Sequence, residues 1–309
     1  MKNRITEIFN IKYPIALGGM AGVTDARLAA AVSEAGGLGT IAAATEYAES
    51  LATEIRRLRA ITALPFAVNI PLMAPQAKDL IQVVMESMVP VVITAAGSPA
   101  VFTAALKQAG SRVMHVIPCV DAAKKAEGAG VDAVIAEGFE SGGFASPFEV
   151  GTLALIPQVV DAVRIPVLAA GGVVDARGYA ACRILGAEGI SVGTAFLATV
   201  ECTKIGSAWR EQILSGRDVS TKILARGIAP VRMLANRWAE ELEKLVSAGV
   251  TKKEIMNFIF SGDPMSSEDG PFACGQGVGL IQRIRTVKEI MEDFVTGSEE
   301  LLKRMATGD

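Results

Sequence analysis

Residues 136–147, AEGFESGGFASP, hold two carboxylates and three glycines in one short, turn-rich segment. Glu137 and Glu140 are its ionisable groups, and a carboxyl group whose pKa is raised by burial could donate a proton to a substrate. The simpler interpretation, which we favour for both residues, is an anchor that accepts backbone N–H bonds in a loop or at a helix N-terminus. Phe144 places a large apolar ring where a catalytic group would be expected.

Paired small residues follow two later apolar runs, Gly171-Gly172 after PVLAA and Gly193-Thr194 after GISV. Glycines at such turns can offer backbone N–H groups to a phosphate, and the Thr194 hydroxyl adds a further donor. The alternative is that these glycines only permit tight turns. Because both turns follow neighbouring predicted strands, we favour phosphate binding, and the predicted site includes Ala170 at the end of the first run.

Residues in the first third of the chain suit the face or edge of a flat ring. Gly18, Gly19 and Met20 follow the run PIAL, and glycine there lets a planar ligand approach the backbone. Asn69 is an amide inside the run PFAVNI, where it must find partners, and Ala95 opens the segment AAGSP after another run. A flat ring together with one phosphate favours FMN as the cofactor.

The histidine and cysteine content makes several kinds of catalytic site poor candidates. His115 is the single histidine, so Ser-His-Asp triads, histidine-rich metal sites and zinc hydrolase chemistry are disfavoured, and no metal site is predicted. We expect His115 to be a partly buried side chain with satisfied hydrogen bonds, the alternative being a catalytic role. The four cysteines lack metal spacing and indicate reduced, mostly buried thiols: Cys119, Cys182, Cys202 and Cys274.

The elements that must position these residues alternate regularly along the first two hundred residues. Short apolar runs are separated by stretches whose apolar residues recur every three or four positions, the pattern of strands and helices in turn. The eight runs indicate a closed (β/α)8 TIM barrel. The alternative is an open doubly wound sheet, although no run is followed by G-x-G-x-x-G with an acid about 20 residues further on. The runs are residues 14–19, 38–43, 65–70, 90–96, 112–118, 133–138, 166–172 and 189–194.

The alternation stops after residue 200, and the segments that follow read as helices without strands between them. We therefore predict a barrel domain, residues 1–202 and 274–309, interrupted by a helical insertion or lid, residues 203–273, which is called the insertion below. A last amphipathic helix is predicted from about Val287 to Met305.

Charge and hydropathy favour a soluble cytoplasmic protein. The 309 residues include 30 basic and 33 acidic side chains, a net charge of −3, with both signs interspersed, so neither nucleic acid nor an anionic membrane is an expected partner. Mean hydropathy is +0.38, but no apolar run reaches the roughly 18 residues of a membrane span. The first residues contain no apolar signal-peptide core. A small-molecule substrate is the expected partner, and a homodimer is compatible with the sequence.

Several long segments resemble the nitronate monooxygenase (2-nitropropane dioxygenase-like) flavoproteins, which include the FMN-dependent enoyl-acyl-carrier-protein reductases. The resemblance covers nearly the whole chain and implies a TIM barrel with a helical lid and non-covalently bound FMN. The segments are PIALGGMAGVTDARLAAAVSEAGGLGTI, PFAVNI, GVDAVIAEGFESGG, IPVLAAGGVVDARGYAACRILGAEGISVGTAFLATVEC and GQGVGLI.

The resemblance also implies roles for individual residues. Gly18, Gly19 and Met20 would form the wall beside the isoalloxazine ring, and Asn69 would contact the ring or the ribityl chain. The other implied contacts are Glu137, Gly142 and Gly143 at the flavin, Gly171, Gly172, Gly193 and Thr194 around the phosphate, and Gln276 and Gly277 in a lid segment over the ring.

Phe144 is the departure from the family pattern, which usually reads A-E-G-x-E-A-G-G-H and uses its histidine as an acid or base. Our first hypothesis is an FMN-dependent oxidoreductase of the nitronate monooxygenase type, which oxidises nitronates with O2, reduces its flavin with NAD(P)H, or does both. The second is an NAD(P)H-dependent enoyl-thioester reductase. The third is a flavin-binding protein with little turnover of its own.

Overall fold

Eight parallel strands form a closed barrel in the computed structural model, which describes residues 2–266 and 268–308. The strand order is β1-β9-β8-β6-β5-β4-β3-β2. A parallel bridge between Ala16 and Leu38 closes the ring between β1 and β2. The prediction of a (β/α)8 barrel is therefore confirmed. Its strands are β1 (Ile15–Leu17), β2 (Gly39–Ala42), β3 (Phe66–Pro71), β4 (Val91–Ala95), β5 (Arg112–Ile117), β6 (Ala133–Glu137), β8 (Val167–Ala170) and β9 (Gly189–Val192); β7 (Gly143–Phe144) lies outside the barrel.

Helices surround the barrel in the order expected of repeated βα units. They are α1 (Arg4–Phe9), α2 (Ala26–Glu34), α3 (Ala48–Ile61), α4 (Ala77–Glu86), α5 (Thr103–Gln108), α6 (Val120–Gly128), α7 (Thr152–Ala162), α8 (Ala176–Ile184), α9 (Thr194–Leu197), α10 (Ser207–Leu214), α11 (Arg237–Ser247), α12 (Lys252–Ser261), α13 (Val287–Glu292) and α14 (Ser298–Thr307). Short 3₁₀ helices span Pro99–Val101 and Gln276–Leu280. A π-helical turn, Asp293–Gly297, joins α13 to α14. The three segments together correspond to the last helix that the sequence predicts.

The barrel interior is filled by alternate residues of the strands, as the two-residue period of a strand requires. This inner cluster includes Ala67, Met114 and Ile135, and α1 closes its lower end with Ile5 and Phe9. The remaining strand residues face outward and pack under the helices in a larger cluster. Side chains at the carboxyl ends of the strands therefore belong either to the inner face, where they reach the open end of the barrel, or to the helical layer.

Two helices that follow glycine-containing turns begin at aspartate caps. The Asp25 side chain accepts the N–H of Leu28 at the start of α2, and the Asp175 side chain accepts the N–H groups of Arg177 and Gly178 at the start of α8. Such caps satisfy donors that have no partner within the helix. They set the length of the turns between β1 and α2 and between β8 and α8.

The insertion contains helices α10, α11 and α12, but the expectation that it lacks strands is wrong. Strands β10 (Thr221–Leu224) and β11 (Val231–Leu234) form an antiparallel pair, and β11 also pairs with β7 of the barrel domain. Helix α11 consequently begins only at Arg237, after β11 has ended at Leu234. A separate small apolar cluster, including Leu242 and Ile255, lies beneath these strands. The proposed domain boundaries at residues 203 and 273 stay a prediction.

Within the described ranges no helix is long and apolar enough to cross a bilayer. All four cysteines are free thiols. Among the described residues no group of three or more His, Cys, Asp or Glu side chains is arranged to hold a metal ion.

Candidate functional site

The carboxyl ends of the strands meet at one end of the barrel, here called the barrel mouth. Four predicted site residues lie on the inner face at this end, as their register shows: Asn69 is aligned with Ile93, and Glu137 with Ala170. Ala95 ends β4 on the same face as Ile93. The inner face at the mouth therefore combines one amide and one carboxyl group with small apolar residues.

The turn after β1 is packed closely against two other strands. Gly18 donates its N–H to a carbonyl of β9 at 2.8 Å. A Cβ at Gly19 would lie 2.7 Å from the side chain of Asn69, and one at Gly193 would lie 3.4 Å from the sulfur of Met20. The first distance leaves no room for any side chain at Gly19. The three residues predicted to border a flat ring thus lie between the ends of β3 and β9.

The turn after β8 requires glycine at both of its positions. Gly171 and Gly172 have φ angles of +98° and +75°, in the left-handed region that other residues rarely adopt. A Cβ at Gly171 would lie 2.8 Å from the carbonyl oxygen of Gly138, and one at Gly172 would lie 3.2 Å from the Cβ of Glu140. The turn is therefore pressed against the loop that follows β6, residues 138–142, called the β6 loop below.

A segment from beyond the insertion returns to the barrel mouth and bridges two loops. Gly275 donates its N–H to the Thr194 hydroxyl at 2.9 Å, and Gln276 donates its N–H to the carbonyl oxygen of Glu140 at 2.9 Å. Gly277 follows in the same 3₁₀ helix and packs against the turn after β8. The structure thus brings the predicted lid segment together with the ends of β6 and β9.

Glu140 anchors the β6 loop to the beginning of α7. Its carboxylate accepts the backbone N–H of Thr152 at 2.8 Å and the hydroxyl of the same residue at 2.9 Å. Thr152 is the first residue of α7, where backbone N–H groups have no partner within the helix. This is the geometry of an anchor at a helix N-terminus.

Glu137 lies three residues earlier and has a different environment. Burial raises the pKa of its carboxyl group to about 7, and the Ser141 hydroxyl opposes part of the rise. The residue keeps intermediate surface exposure at the mouth, but protein surrounds the carboxyl group densely enough for desolvation to dominate its titration. The Ser141 Oγ is buried and has no hydrogen bond of standard geometry within the described structure.

Phe144 faces the insertion. It pairs with Val231 of β11, and its ring centroid lies 5.8 Å from that of Phe260 on α12, with the rings tilted by 36°. Its side chain is 45% exposed. Just before it, Gly143 has a φ of +80°, and a Cβ at Gly142 would lie 2.6 Å from the backbone of Cys274. The segment 142–144 therefore fits tightly on one side and presents an apolar ring on the other.

His115 lies on the outer face of β5, aligned with Thr94 and with Val134 of the outer cluster. Its Nδ1 lies 2.7 Å from the Thr94 hydroxyl oxygen, and the backbone of Gly97 supplies a further hydrogen bond. Burial lowers its pKa to about 4, so the ring is neutral near pH 7. The structure does not bring this residue to the inner face with Glu137.

Sequence reasoning missed Arg232, which connects the insertion to the β6 loop. Its guanidinium group is buried and donates to the carbonyl oxygen of Phe139 at 3.0 Å and to the Thr221 hydroxyl at 3.1 Å. It also lies 5.3 Å from the Phe139 ring centroid. An arginine within the apolar run PVRML was the available signal, because buried arginines need specific partners.

A cavity of about 570 Å³ lies beside the barrel mouth, between the β1–α2 loop and α3. Tyr47, Arg57 and Lys204 are among its lining residues, together with several carboxylates. None of the residues predicted to bind a cofactor lines it. The cavity is therefore separate from the glycine turns of the mouth.

The model of one protein family, nitronate monooxygenase, matches residues 2–82 and 78–297, which is most of the chain. The chain belongs to the nitronate monooxygenase family. It is accordingly an FMN-dependent oxidoreductase, as predicted, and membership agrees with the barrel and with the positions of the glycine turns.

Individual relatives within this family differ in the reactions that their names describe. The chain is 37% identical to a (3aS,4S,5R,7aS)-5-hydroxy-7a-methyl-1-oxo-octahydro-1H-indene-4-carboxyl-CoA dehydrogenase of Mycobacterium tuberculosis, over 96% of this chain and 95% of the relative. It is 34% identical to a probable nitronate monooxygenase of Staphylococcus aureus, over 79% of this chain and 81% of that one. Among solved structures, FabK from Thermotoga maritima is 36% identical with a TM-score of 0.93, and all of both chains is covered.

Proposed function

We propose that FMN binds non-covalently at the barrel mouth, with its phosphate at the backbone turns after β8 and β9 and its ring beside the turn after β1. The residues assigned to the phosphate are Gly171, Gly172, Gly193 and Thr194. Those assigned to the ring and ribityl chain are Gly18, Gly19, Met20, Asn69, Ala95, Glu137, Gly142, Gly143, Ala170, Gln276 and Gly277.

Three features of the structure support a fit to this cofactor. The left-handed backbone of Gly171 and Gly172 creates a turn at the mouth that only glycine adopts easily, and such turns can aim N–H groups at an anion. The buried Ser141 hydroxyl lies beside Glu137 but makes no hydrogen bond of standard geometry among the described residues, which leaves it able to turn to a ligand. A Cβ at Gly143 would meet no atom within 4 Å, so its backbone borders open space.

The reaction we favour is the reduction of an α,β-unsaturated acyl thioester by NAD(P)H. The main support for this reaction is the position of Phe144. Its half-exposed ring packs on Phe260 and makes an apolar surface between the barrel and the insertion. Such a surface suits an acyl chain better than a small anion. One relative that the chain matches along nearly its whole length, the Mycobacterium tuberculosis dehydrogenase, is named for a CoA thioester.

The reaction balances as NAD(P)H, a proton and the enoyl thioester giving NAD(P)⁺ and the saturated thioester. FMN, when bound, supplies the hydride transfer between the two substrates. The chain binds and orients: the glycine turns would hold the anionic end of the cofactor, and Asn69, which donates to the carbonyl oxygen of Ile93 at 3.4 Å, would border its ring. Phe144 with Phe260 would offer an apolar surface to the acyl chain.

Nitronate oxidation is the second candidate, favoured by the family match and by the Staphylococcus aureus relatives. A nitronate has already lost its carbon proton, so its oxidation needs no general base. A neutral nitroalkane does need one, and a missing general base lowers the rate by roughly 100- to 10,000-fold. With Phe144 at the family histidine position, we expect the rate with nitronates to exceed the rate with neutral nitroalkanes by roughly 100- to 10,000-fold.

Anaerobic reduction followed by reoxidation separates the candidates. NADH or NADPH should bleach the flavin of the purified protein, and crotonyl-CoA should then restore its colour in the absence of O2. Reoxidation by crotonyl-CoA no faster than by buffer alone, together with bleaching by propionate 3-nitronate, would favour the second candidate. A protein that binds flavin but responds to none of these compounds would be a flavin-binding protein with little turnover.

Two substitutions at one position refine the result. Phe144→His should restore turnover of neutral nitroalkanes, because it returns the missing base. Phe144→Leu keeps an apolar side chain of smaller size and serves as the matched control, which should gain no such activity. Equal nitroalkane rates in both variants would mean that the position no longer controls proton removal.

A further inference from the structure

Glu137 and Ser141 form an isolated polar pair on the inner side of the barrel mouth. Glu137 is on the inner face of β6, because it is aligned with Ala170 of the inner cluster. Ser141 is 8% exposed, and its Oγ has no hydrogen bond of standard geometry to any described residue. A buried hydroxyl whose one polar neighbour, Glu137, is not held in standard hydrogen-bond geometry is unusual in a folded protein, and it points to a further group that the pair meets in the loaded state.

Among the residues that the structure describes, no positive charge contributes to the titration of Glu137. The flanking strands β5 and β8 present Val116 and Ala170 on the inner face. The charged groups of the adjoining segments are Glu140, whose carboxylate is bonded to α7, and Arg232, whose guanidinium is bonded to the β6 loop. Desolvation raises the pKa of Glu137 and the Ser141 hydroxyl opposes part of that rise, and neither charged group contributes to the shift.

We infer that Glu137 is the proton source of the flavin site and takes over the proton supply that Phe144 cannot provide. This inference rests on the proposed function. Reduction of the enoyl thioester breaks its carbon–carbon π bond and forms two C–H bonds, and the thioester group itself is unchanged. The hydride, supplied by NAD(P)H, goes to the β-carbon, and the proton of the Glu137 carboxyl group goes to the α-carbon. Glu137 is left as a carboxylate, which solvent reprotonates through the mouth, where the residue keeps partial exposure.

Position and protonation together favour Glu137 over the other ionisable candidates. Glu140 is held by Thr152, and His115 lies on the outer face of β5 with a lowered pKa that keeps it neutral. A proton donor works best when its pKa is near the working pH. Glu137 alone among these three combines the inner face, access to the mouth and a carboxyl group that is partly protonated near pH 7.

The first test measures the midpoint potential of the flavin in the holoenzyme as a function of pH, which does not depend on turnover. Reduced flavin carries more negative charge than oxidised flavin, so its presence raises the pKa of a neighbouring carboxyl group. Reduction of the wild-type protein should therefore take up additional protons above pH about 7. Glu137→Gln should remove this extra uptake, and the same substitution at an exposed carboxylate, Glu211→Gln, should leave it unchanged.

Ser141→Ala is a second variant, which should shift the extra proton uptake along the pH axis where Glu137→Gln should remove it. It keeps the test decisive if Glu137→Gln folds poorly. Loss of the hydroxyl that lowers the Glu137 pKa should move the inflection to higher pH. An identical pH dependence in wild type, Glu137→Gln and Ser141→Ala would overturn the inference.

The second test follows kcat/KM for crotonyl-CoA against pH. In wild type it should fall as Glu137 ionises, and Glu137→Gln should lower it about 100-fold, the lower bound for loss of a general acid, and flatten the profile. Glu137→Asp should recover part of the rate and the pH dependence. If the wild type does not reduce crotonyl-CoA, the proposed reaction fails, and the potential measurement still decides whether Glu137 titrates beside the flavin. An unaltered rate and profile in Glu137→Gln would exclude it as the proton source.

Discussion

The two sides of the barrel mouth are built in different ways. On the β8–β9 side, backbone turns shaped by glycine lie against the β6 loop, and Gly171 and Gly172 adopt φ angles that disfavour other residues. On the β6 side, side chains dominate: Glu137 faces inward, Ser141 is buried beside it, and Phe144 faces the insertion. A backbone site tolerates almost no substitution, whereas a side-chain site can exchange one residue for another. The proposed replacement of a family histidine by Phe144 is therefore expected on the β6 side and not at the glycine turns.

The largest expected effect is that of Gly171→Ala, which probes the backbone side. A Cβ there would lie 2.8 Å from the carbonyl oxygen of Gly138 and would require a left-handed alanine. Strain of this kind is worth about 1–3 kcal/mol, so FMN should bind up to about 100-fold more weakly. Flavin fluorescence titration measures the dissociation constant.

Gly110→Ala is the matched control for that substitution. Gly110 has a similar φ of +93°, but a Cβ there would meet no atom within 4 Å, and it lies before β5, away from the mouth. It should lower the melting temperature without changing FMN affinity. If both variants weaken FMN binding equally, the effect is a general loss of stability and the phosphate assignment loses its support.

The next effect concerns the pH dependence of stability in Glu137→Gln. The folded state raises the carboxyl pKa from 4.5 to about 7. The protonated carboxyl group therefore makes its full contribution to the free energy of unfolding below pH 4.5, and this contribution is lost as the pH rises through 7. At pH 8.5 the variant should have a free energy of unfolding about 1–3 kcal/mol above wild type, after allowance for the partial exposure of the side chain. Urea unfolding at pH 5 and 8.5 measures the difference, and a constant difference at both values would contradict the assignment.

Glu140→Ala should behave differently from Glu137→Gln, although the residues lie in the same turn. Loss of the carboxylate that accepts the Thr152 N–H removes an anchor at the start of α7, an effect of about 1–2 kcal/mol in the destabilising direction. Thermal unfolding at pH 7 should show a lower melting temperature than wild type. Glu211→Ala, a substitution at an exposed carboxylate, is the control and should leave the melting temperature nearly unchanged. Equal decreases in melting temperature in the two variants would argue against the anchor.

The smallest expected effect is that of Phe260→Ala, which breaks the aromatic contact of the insertion with Phe144 and leaves the β6 loop itself intact. Aromatic pairs contribute about 0.5–1.5 kcal/mol, so KM for an acyl thioester should rise about two- to tenfold. FMN affinity should not change. A change in FMN affinity with an unaltered KM would place the contact in cofactor binding and not in substrate binding.

Much of this arrangement could be predicted from the sequence because it depends on local patterns. The eight apolar runs became the eight barrel strands, and glycine pairs after such runs marked turns whose φ angles favour glycine. The strands β10 and β11 were missed because their residues lie among helix-forming segments, and β11 is held by pairing with β7, far away in the chain. The partner of Phe144 on α12 could not be predicted for the same reason.

The two carboxylates of the opening segment show a second limit. Glu137 and Glu140 have the same chemistry and lie three residues apart, yet one is on the inner face of the barrel and the other is bonded to α7. The strand period would place Glu137 with Ile135, but where β6 ends decides whether that period still applies to Glu140. The surroundings of each carboxyl group come from strands and helices distant in sequence, so their different environments appear only in the folded chain.

A crystal structure of the FMN-loaded protein is the most direct test of the proposed cofactor site. The phosphate should lie within hydrogen-bonding distance of the turns Gly171-Gly172 and Gly193-Thr194, with the ring beside Gly19. FMN bound elsewhere, such as in the cavity of about 570 Å³ lined by Tyr47 and Arg57, would contradict the assignment.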